Sequence, residues 1–241
     1  MEEWKYETAR DHGLKHRQRM RSLRREAGLV QWTLHHSTWA ALRFYLRGRF
    51  GLRVYGAEGL PTRPPFLMVA NHTSHLDALV LGASVCWRLR GDVFPIAAGD
   101  TFFETPTLES LSALLLNALP IWRERCGRHE MAELRRQLQE GCSAFILFPE
   151  GTRSRTGEMG RFKAGVGMLV AQTDVPVFPC HIRGAYQAWP ADRKRPRSGS
   201  VSVRIGDPIL FAETQNGRAG WLEVAQRLEN VVTGLGEFSP E

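Results

Sequence analysis

Two uninterrupted apolar runs, at residues 66–70 and 144–148, constrain this chain more than any other feature. Neither alternates with polar residues, so each reads as a strand buried on both faces rather than on one. Around them lie an edge-strand candidate at 52–55, strands at 93–97 and 175–179, and the alternating Val201, Val203 and Ile205. Helical patterns fall between, at 75–89, 108–119, 128–139 and 161–172. Trp221, Val224, Ala225, Leu228 and Val232 give a closing amphipathic helix. Strands alternating with helices predict an α/β fold, a central, largely parallel or mixed sheet flanked by helices. At 241 residues, one such domain is the natural expectation.

Both apolar runs end abruptly in polar islands, at the position where open α/β sheets bind ligands. The first island holds His72 and Asp77. An imidazole whose Nδ1–H is held by a carboxylate keeps Nε2 free as a base. Two other readings of these residues stand beside it. One is a capped loop, with Ser74 as N-cap of the next helix. The other is a metal cluster of His72, His75 and Asp77, with His129 or His181 as further ligands, although no His-x-His-x-Asp-His run is present. The second island is Phe148-Pro149-Glu150-Gly151-Thr152-Arg153-Ser154-Arg155.

Together the islands resemble the glycerolipid acyltransferase family, which includes lysophosphatidic acid acyltransferase. Its Asn-His-x-x-x-x-Asp and Phe-Pro-Glu-Gly-Thr-Arg-Ser blocks stand intact and in order at Asn71–Asp77 and Phe148–Ser154. The resemblance extends from about residue 52 to 208. It implies transfer of a fatty acyl group from acyl-CoA or acyl-carrier protein to a lysophospholipid hydroxyl, foremost that of 1-acyl-sn-glycerol 3-phosphate. Another lysophospholipid or glycerol 3-phosphate is the alternative acceptor. The donor is a substrate, and neither cofactor nor metal is expected.

The resemblance makes His72 the base, Asp77 its orienting partner, and Glu150 a third site residue that orients the acceptor or neighbouring Arg side chains. Gly151, Thr152, Arg153 and Lys163 follow as substrate-binding candidates. Arg123 joins them from Asn117-Ala118-Leu119-Pro120-Ile121-Trp122-Arg123, similar to the family's Gly-x-x-Pro-Val-Asp-Arg but with Asn117 for Gly and Trp122 for Asp. Planar guanidinium groups suit the acceptor's phosphate because they donate two parallel hydrogen bonds. Val175-Pro176-Val177-Phe178-Pro179 resembles a fourth, structural block. Cys142 and Cys180 lie in apolar strand contexts, where core packing is the expected role. With Cys86 and Cys126 they show no Cys-x-x-Cys spacing, which fits a reducing compartment.

Charge divides the chain. Residues 1–55 hold 12 Lys/Arg against 5 Asp/Glu, and the remainder holds 20 of each, so the whole net +7 belongs to the N-terminal part. Residues 1–50 are therefore expected to be a basic, aromatic-rich helical arm, and 51–241 the transferase domain. Met1–Glu26 is polar and does not read as a signal peptide, and 27–42 is too short and polar to span a membrane. Trp32, Trp39, Phe44, Tyr45 and Phe50, interleaved with Arg43, Arg47 and Arg49, suit a headgroup layer. No clean apolar stripe is read in them, and packing onto the domain is the competing expectation. An anionic membrane surface is preferred over nucleic acid as the arm's partner. The expected location is a peripheral, monotopic one on the cytoplasmic face of the membrane. A non-enzymatic basic binder and a metal-dependent hydrolase are the function classes opposed to transfer.

Overall fold

The computed structural model describes residues 13, 29–86, 89, 93–98, 119–121, 128–141 and 143–237. Seven strands form the sheet: β1 Arg53–Tyr55, β2 Phe66–Ala70, β3 Val93–Ala98, β4 Leu119–Ile121, β5 Ala144–Leu147, β6 Val177–Arg183 and β7 Ser202–Ile205. Their spatial order is β1-β7-β6-β2-β5-β3-β4. All pairs are parallel except β6 with β7. The expected α/β class with a largely parallel sheet is what the chain adopts.

Helices α1 Leu29–Phe50, α2 Asp77–Ser84, α3 Arg128–Gln139, α4 Gly165–Val170, α5 Ala185–Ala188 and α6 Arg218–Glu237 surround the sheet. The pleat divides the core in two. On one side Phe66, Met68 and Ala70 of β2 pack with Trp39, Leu46 and Phe50 of α1 and with Val80 and Leu81 of α2. On the other, Leu67 and Val69 meet Leu134 and Leu138 of α3, Leu169 of α4, and Val224, Leu228 and Val232 of α6. A strand covered on both faces has no reason to alternate, which is why the 66–70 run reads as continuous apolar sequence.

Several local expectations change. Leu119–Ile121 is a strand paired with β3, where the sequence predicts the end of a helix over 108–119; the rest of that stretch lies outside the described residues. Helix α2 begins at Asp77, and no side chain caps it in the expected way. Ser74 instead accepts the Leu76 amide at 3.0 Å and donates to the Trp189 carbonyl at 2.6 Å, tying the first island to the segment after β6.

The aromatics expected to meet a membrane are split. Trp39 and Phe50 are buried, whereas Phe44 is 81% and Tyr45 47% exposed. Trp39, Leu42, Leu46 and Phe50 make a stripe at helical spacing that packs onto the domain. The stripe escapes a sequence reading because Leu34, Phe44 and Tyr45 are equally apolar yet point outward. The second half of α1 is thus part of the domain's own core. No helix among the described residues is long and apolar enough to cross a membrane.

Candidate active site

Strands β2, β5 and β6 run parallel, and their carboxyl ends lie side by side. The chain leaves β2 at Asn71, whose buried side chain accepts the Ile182 amide at 2.8 Å and donates to the Ile182 carbonyl at 3.0 Å. An Asn side chain here completes the backbone pairing of β6 and fixes the point from which the next loop departs. His72 follows, its ring stacked on Phe148 at the end of β5, with centroids 4.2 Å apart and planes 17° from parallel.

Asp77 is fully buried and its Oδ2 gathers three donors. The Thr73 and Ser74 amides each donate to it at 2.7 Å. His72 Nδ1 lies 2.9 Å away, the third partner. An ionised carboxylate only accepts, so Nδ1 carries the proton and Nε2 is left as a lone-pair base. The five-residue spacing of His72 and Asp77 works because the chain folds back on itself between them, and the carboxylate on the first turn of α2 binds the amides of that same fold.

Glu150 closes the arrangement from the other island. Its Oε1 accepts the His72 amide at 2.6 Å and its Oε2 the Gly160 amide at 2.8 Å. Its two oxygens thus brace the backbone of the first island against the Gly160 segment. Burial is the main influence on its carboxyl and pushes it up to about 7, against which the two amides act. The Ser154 amide donates to the His72 carbonyl at 2.8 Å, a further link between the islands.

Arg153 stands beside this pair, its Nη1 on Nδ1 of His75. The same Nη1 lies 2.9 Å from Nε2, which is itself 3.3 Å from the Ala191 carbonyl, so the guanidinium meets both ring nitrogens. Burial first, and then Arg153, lowers the His75 pKa below the ordinary imidazole range. The cationic guanidinium against its ring disfavours a metal ion at His75. Among the described residues no group of three or more His, Cys, Asp or Glu side chains is arranged to hold a metal ion.

Gly151 sits at φ 72°, in the left-handed region, and a Cβ there would stand 2.7 Å from Lys163 Nζ. The glycine therefore admits both the turn and the ammonium group above it. Thr152 is exposed at the loop's tip. Arg123 lies outside the described residues, as does Cys142. Cys180 is buried, and burial pushes its thiol well above the ordinary range, which fits core packing and no nucleophilic role. The sequence alone does not mark Asn71, Phe148, Gly160 or the Trp189 carbonyl as part of the site. Asn71 and Phe148 stand inside the two motifs, but their geometric roles arise only when the strand ends meet.

A family model described as Acyltransferase matches residues 51–183, more than half of the chain and all of both islands. The chain belongs to the acyltransferase family. It is similar to human 1-acyl-sn-glycerol-3-phosphate acyltransferase alpha, at 31% identity over 170 residues, covering 68% of this chain and 58% of that one. The coconut (Cocos nucifera) 1-acyl-sn-glycerol-3-phosphate acyltransferase is 35% identical over 160 residues, 66% of this chain and 49% of that one. The chain thus spans about half the length of the curated relatives it matches. Among solved structures, PlsC, the 1-acyl-sn-glycerophosphate (LPA) acyltransferase of Thermotoga maritima, superposes with TM-score 0.65 at 25% identity, covering 87% of this chain and 81% of that one. The acyltransferase match takes in His72, Asp77, Glu150 and Arg153 and ends at Arg183, the last residue of β6.

Proposed function

We propose that this chain transfers a fatty acyl group from a thioester donor, acyl-CoA or acyl-carrier protein, to the free hydroxyl of a lysophospholipid, foremost 1-acyl-sn-glycerol 3-phosphate. The observation that carries the reading is the His72–Asp77 pair, held by three hydrogen bonds to one buried carboxylate oxygen at the carboxyl ends of parallel strands. Nε2 takes the proton of the acceptor hydroxyl while its oxygen attacks the thioester carbonyl. The tetrahedral adduct collapses, the C–S bond breaks, and the imidazolium returns the proton to the departing thiolate. A thiolate leaves readily, so neither an acyl-enzyme nor a cofactor is needed.

Arg153, aimed by His75, holds the acceptor's phosphate, with Lys163 above Gly151 adding positive charge; Arg123 has the same role. Each charge-assisted hydrogen bond is worth about 1.5–3 kcal/mol. Glu150 acts through the backbone, holding the two islands in register. The enzyme works at an anionic membrane surface, peripherally and from the cytoplasmic face. Its contact there combines the basic residues of 1–50 with the exposed Leu34, Phe44 and Tyr45, and 51–241 carry the transfer chemistry. Related names support the acceptor: the human and coconut relatives are 1-acyl-sn-glycerol-3-phosphate acyltransferases.

Purified protein with labelled acyl-CoA or acyl-carrier protein, offered a panel of lysophospholipids and glycerol 3-phosphate, tests the reading. Labelled diacyl product from 1-acyl-sn-glycerol 3-phosphate is expected. Hydrolysis of the thioester alone, unaffected by any acceptor, would contradict it.

A further inference from the structure

Three strands carry a polar row that the transfer chemistry above does not use. In the sheet register Arg53 of β1 pairs with Ser202 of β7, and Ser202 with Arg183 of β6. One step along lie Tyr55, Arg204 and His181. The pleat sends Val54, Val203 and Ile182 into the core on the other face. Helix α6 covers this side of the sheet over β6 and ends against His181, where a Cβ on Gly236 would stand 2.6 Å from Nε2. Beyond it the sheet face opens into a groove of about 360 Å³. Arg53 and Arg183 line the groove with Tyr55, Gln187, Ser200 and Ser202, and no acidic side chain among the described residues does. Gly184 shapes its wall: at φ 82° a Cβ there would sit 1.9 Å from the Ser200 carbonyl oxygen, so only glycine lets these segments meet.

The groove's place relative to the site is set by α5, four residues long. Gln187 of α5 faces the groove. Trp189, which ends α5, packs its ring on His75 at 5.0 Å, and its carbonyl accepts both the His75 amide and the Ser74 hydroxyl. Groove and site are thus two sides of one short helix, roughly 8 Å from Gly184 to Trp189 at 1.5 Å per residue. A CoA thioester has this division: a reactive carbonyl at one end of a long flexible arm, and a phosphorylated nucleotide at the other.

We infer that the groove between β1, β7 and α5 binds the phosphates of a CoA thioester donor, with Arg53 and Arg183 as their partners. This rests on the acyl-transfer reading and chooses between the two donors that reading allows. Two planar guanidinium groups in a concavity that no carboxylate among the described residues lines suit a phosphate ester. The Tyr55 ring and the Ser and Gln side chains give the adjoining nucleotide a stacking face and hydrogen-bonding groups. An anionic lipid headgroup shares the charge but needs no concave wall, and a carrier protein would need a broad face.

The test compares two donors with the same acyl chain, the CoA thioester and the pantetheine thioester that lacks all phosphates. Wild type should favour the CoA thioester, and in Arg53→Ala/Arg183→Ala that preference should fall by about tenfold or more per arginine, through the donor KM. Calorimetry with CoA itself should show the same loss of affinity without any turnover. If the variant binds CoA as tightly as wild type, or loses both donors equally, the groove is not the phosphate site. A change confined to flotation with anionic vesicles, donor KM untouched, would give it to lipid and overturn the inference. Wild type that binds CoA through these arginines yet transfers nothing would leave the groove standing and remove the acyl-transfer reading instead.

Discussion

In the proposed mechanism His72 serves as a base only while its Nδ1 proton stays where Asp77 holds it. Asp77→Asn keeps the shape, and its carbonyl oxygen can still accept the Thr73 and Ser74 amides and the Nδ1 proton, but it removes the negative charge that stabilises the imidazolium formed on proton transfer. Transfer should fall by about 10³–10⁴-fold with the fold intact, read by turnover beside circular dichroism. Glu150 is a different kind of residue, because both its oxygens are engaged by amides. Its carboxyl is raised to about 7 on folding by burial. An acid raised in this way is favoured when protonated. Its contribution to stability is therefore complete below about 4.5 and is lost as pH rises through about 7. Glu150→Gln should remove that part of the pH dependence while costing stability throughout, because one amide loses its acceptor. Denaturant unfolding of both proteins at pH 5 and pH 8 reads the difference. An unchanged slope would place the ionisation elsewhere.

At the scale of elements, two glycines mark where helices approach most closely. A Cβ on Gly82 of α2 would stand 2.2 Å from the Trp39 indole, and one on Gly167 of α4 would meet the Trp221 backbone of α6 at 2.3 Å. Gly167→Ala should destabilise the protein by about 1–3 kcal/mol or more, since backbone cannot yield as a side-chain tip can. Gly82→Ala should loosen α1, and protease nicking between residues 29 and 50 would report it. These contacts also explain what could be read in advance. The 66–70 and 144–148 strands were legible because a sheet covered on both faces writes continuous apolar runs. The 161–172 expectation was too long for α4, whose glycines serve packing rather than helix propensity. Leu119–Ile121 hid as a strand because three residues around Pro120 carry no period. His72, Asp77 and Glu150 were legible as a set from their motifs. The brace between Glu150 and the His72 amide was not, because it exists only across 78 residues of chain.

For the whole molecule, the split of α1 refines how the enzyme would meet a bilayer. Trp39, Leu46 and Phe50 belong to the core, so deleting residues 1–50 would remove packing along with charge. Phe44→Ser/Tyr45→Ser separates the two. Vesicle flotation should weaken, while thermal stability falls far less than for a core change, because Phe44 is exposed and Tyr45 touches the core only edge-on at Phe50. Trp39→Ala should instead cost about 3–5 kcal/mol of stability. Raised salt should weaken flotation of the intact chain on anionic vesicles, since exposed charges are screened beyond about 8 Å at physiological ionic strength. Flotation that ignored both salt and the Phe44/Tyr45 change would move the membrane contact to another surface.

The central claim is that His72, and not the neighbouring His75, takes the acceptor's proton. The direct measurement is single-turnover transfer of a labelled acyl group from thioester to 1-acyl-sn-glycerol 3-phosphate by wild type, His72→Ala and His75→Ala, at saturating substrate. His72→Ala should be slower by about 10²–10⁴-fold at every acceptor concentration. His75→Ala should retain the chemical step once acceptor saturates, its defect confined to the acceptor KM through the unsteered Arg153. Near-full turnover by His72→Ala, with His75→Ala inactive at saturation, would contradict the assignment.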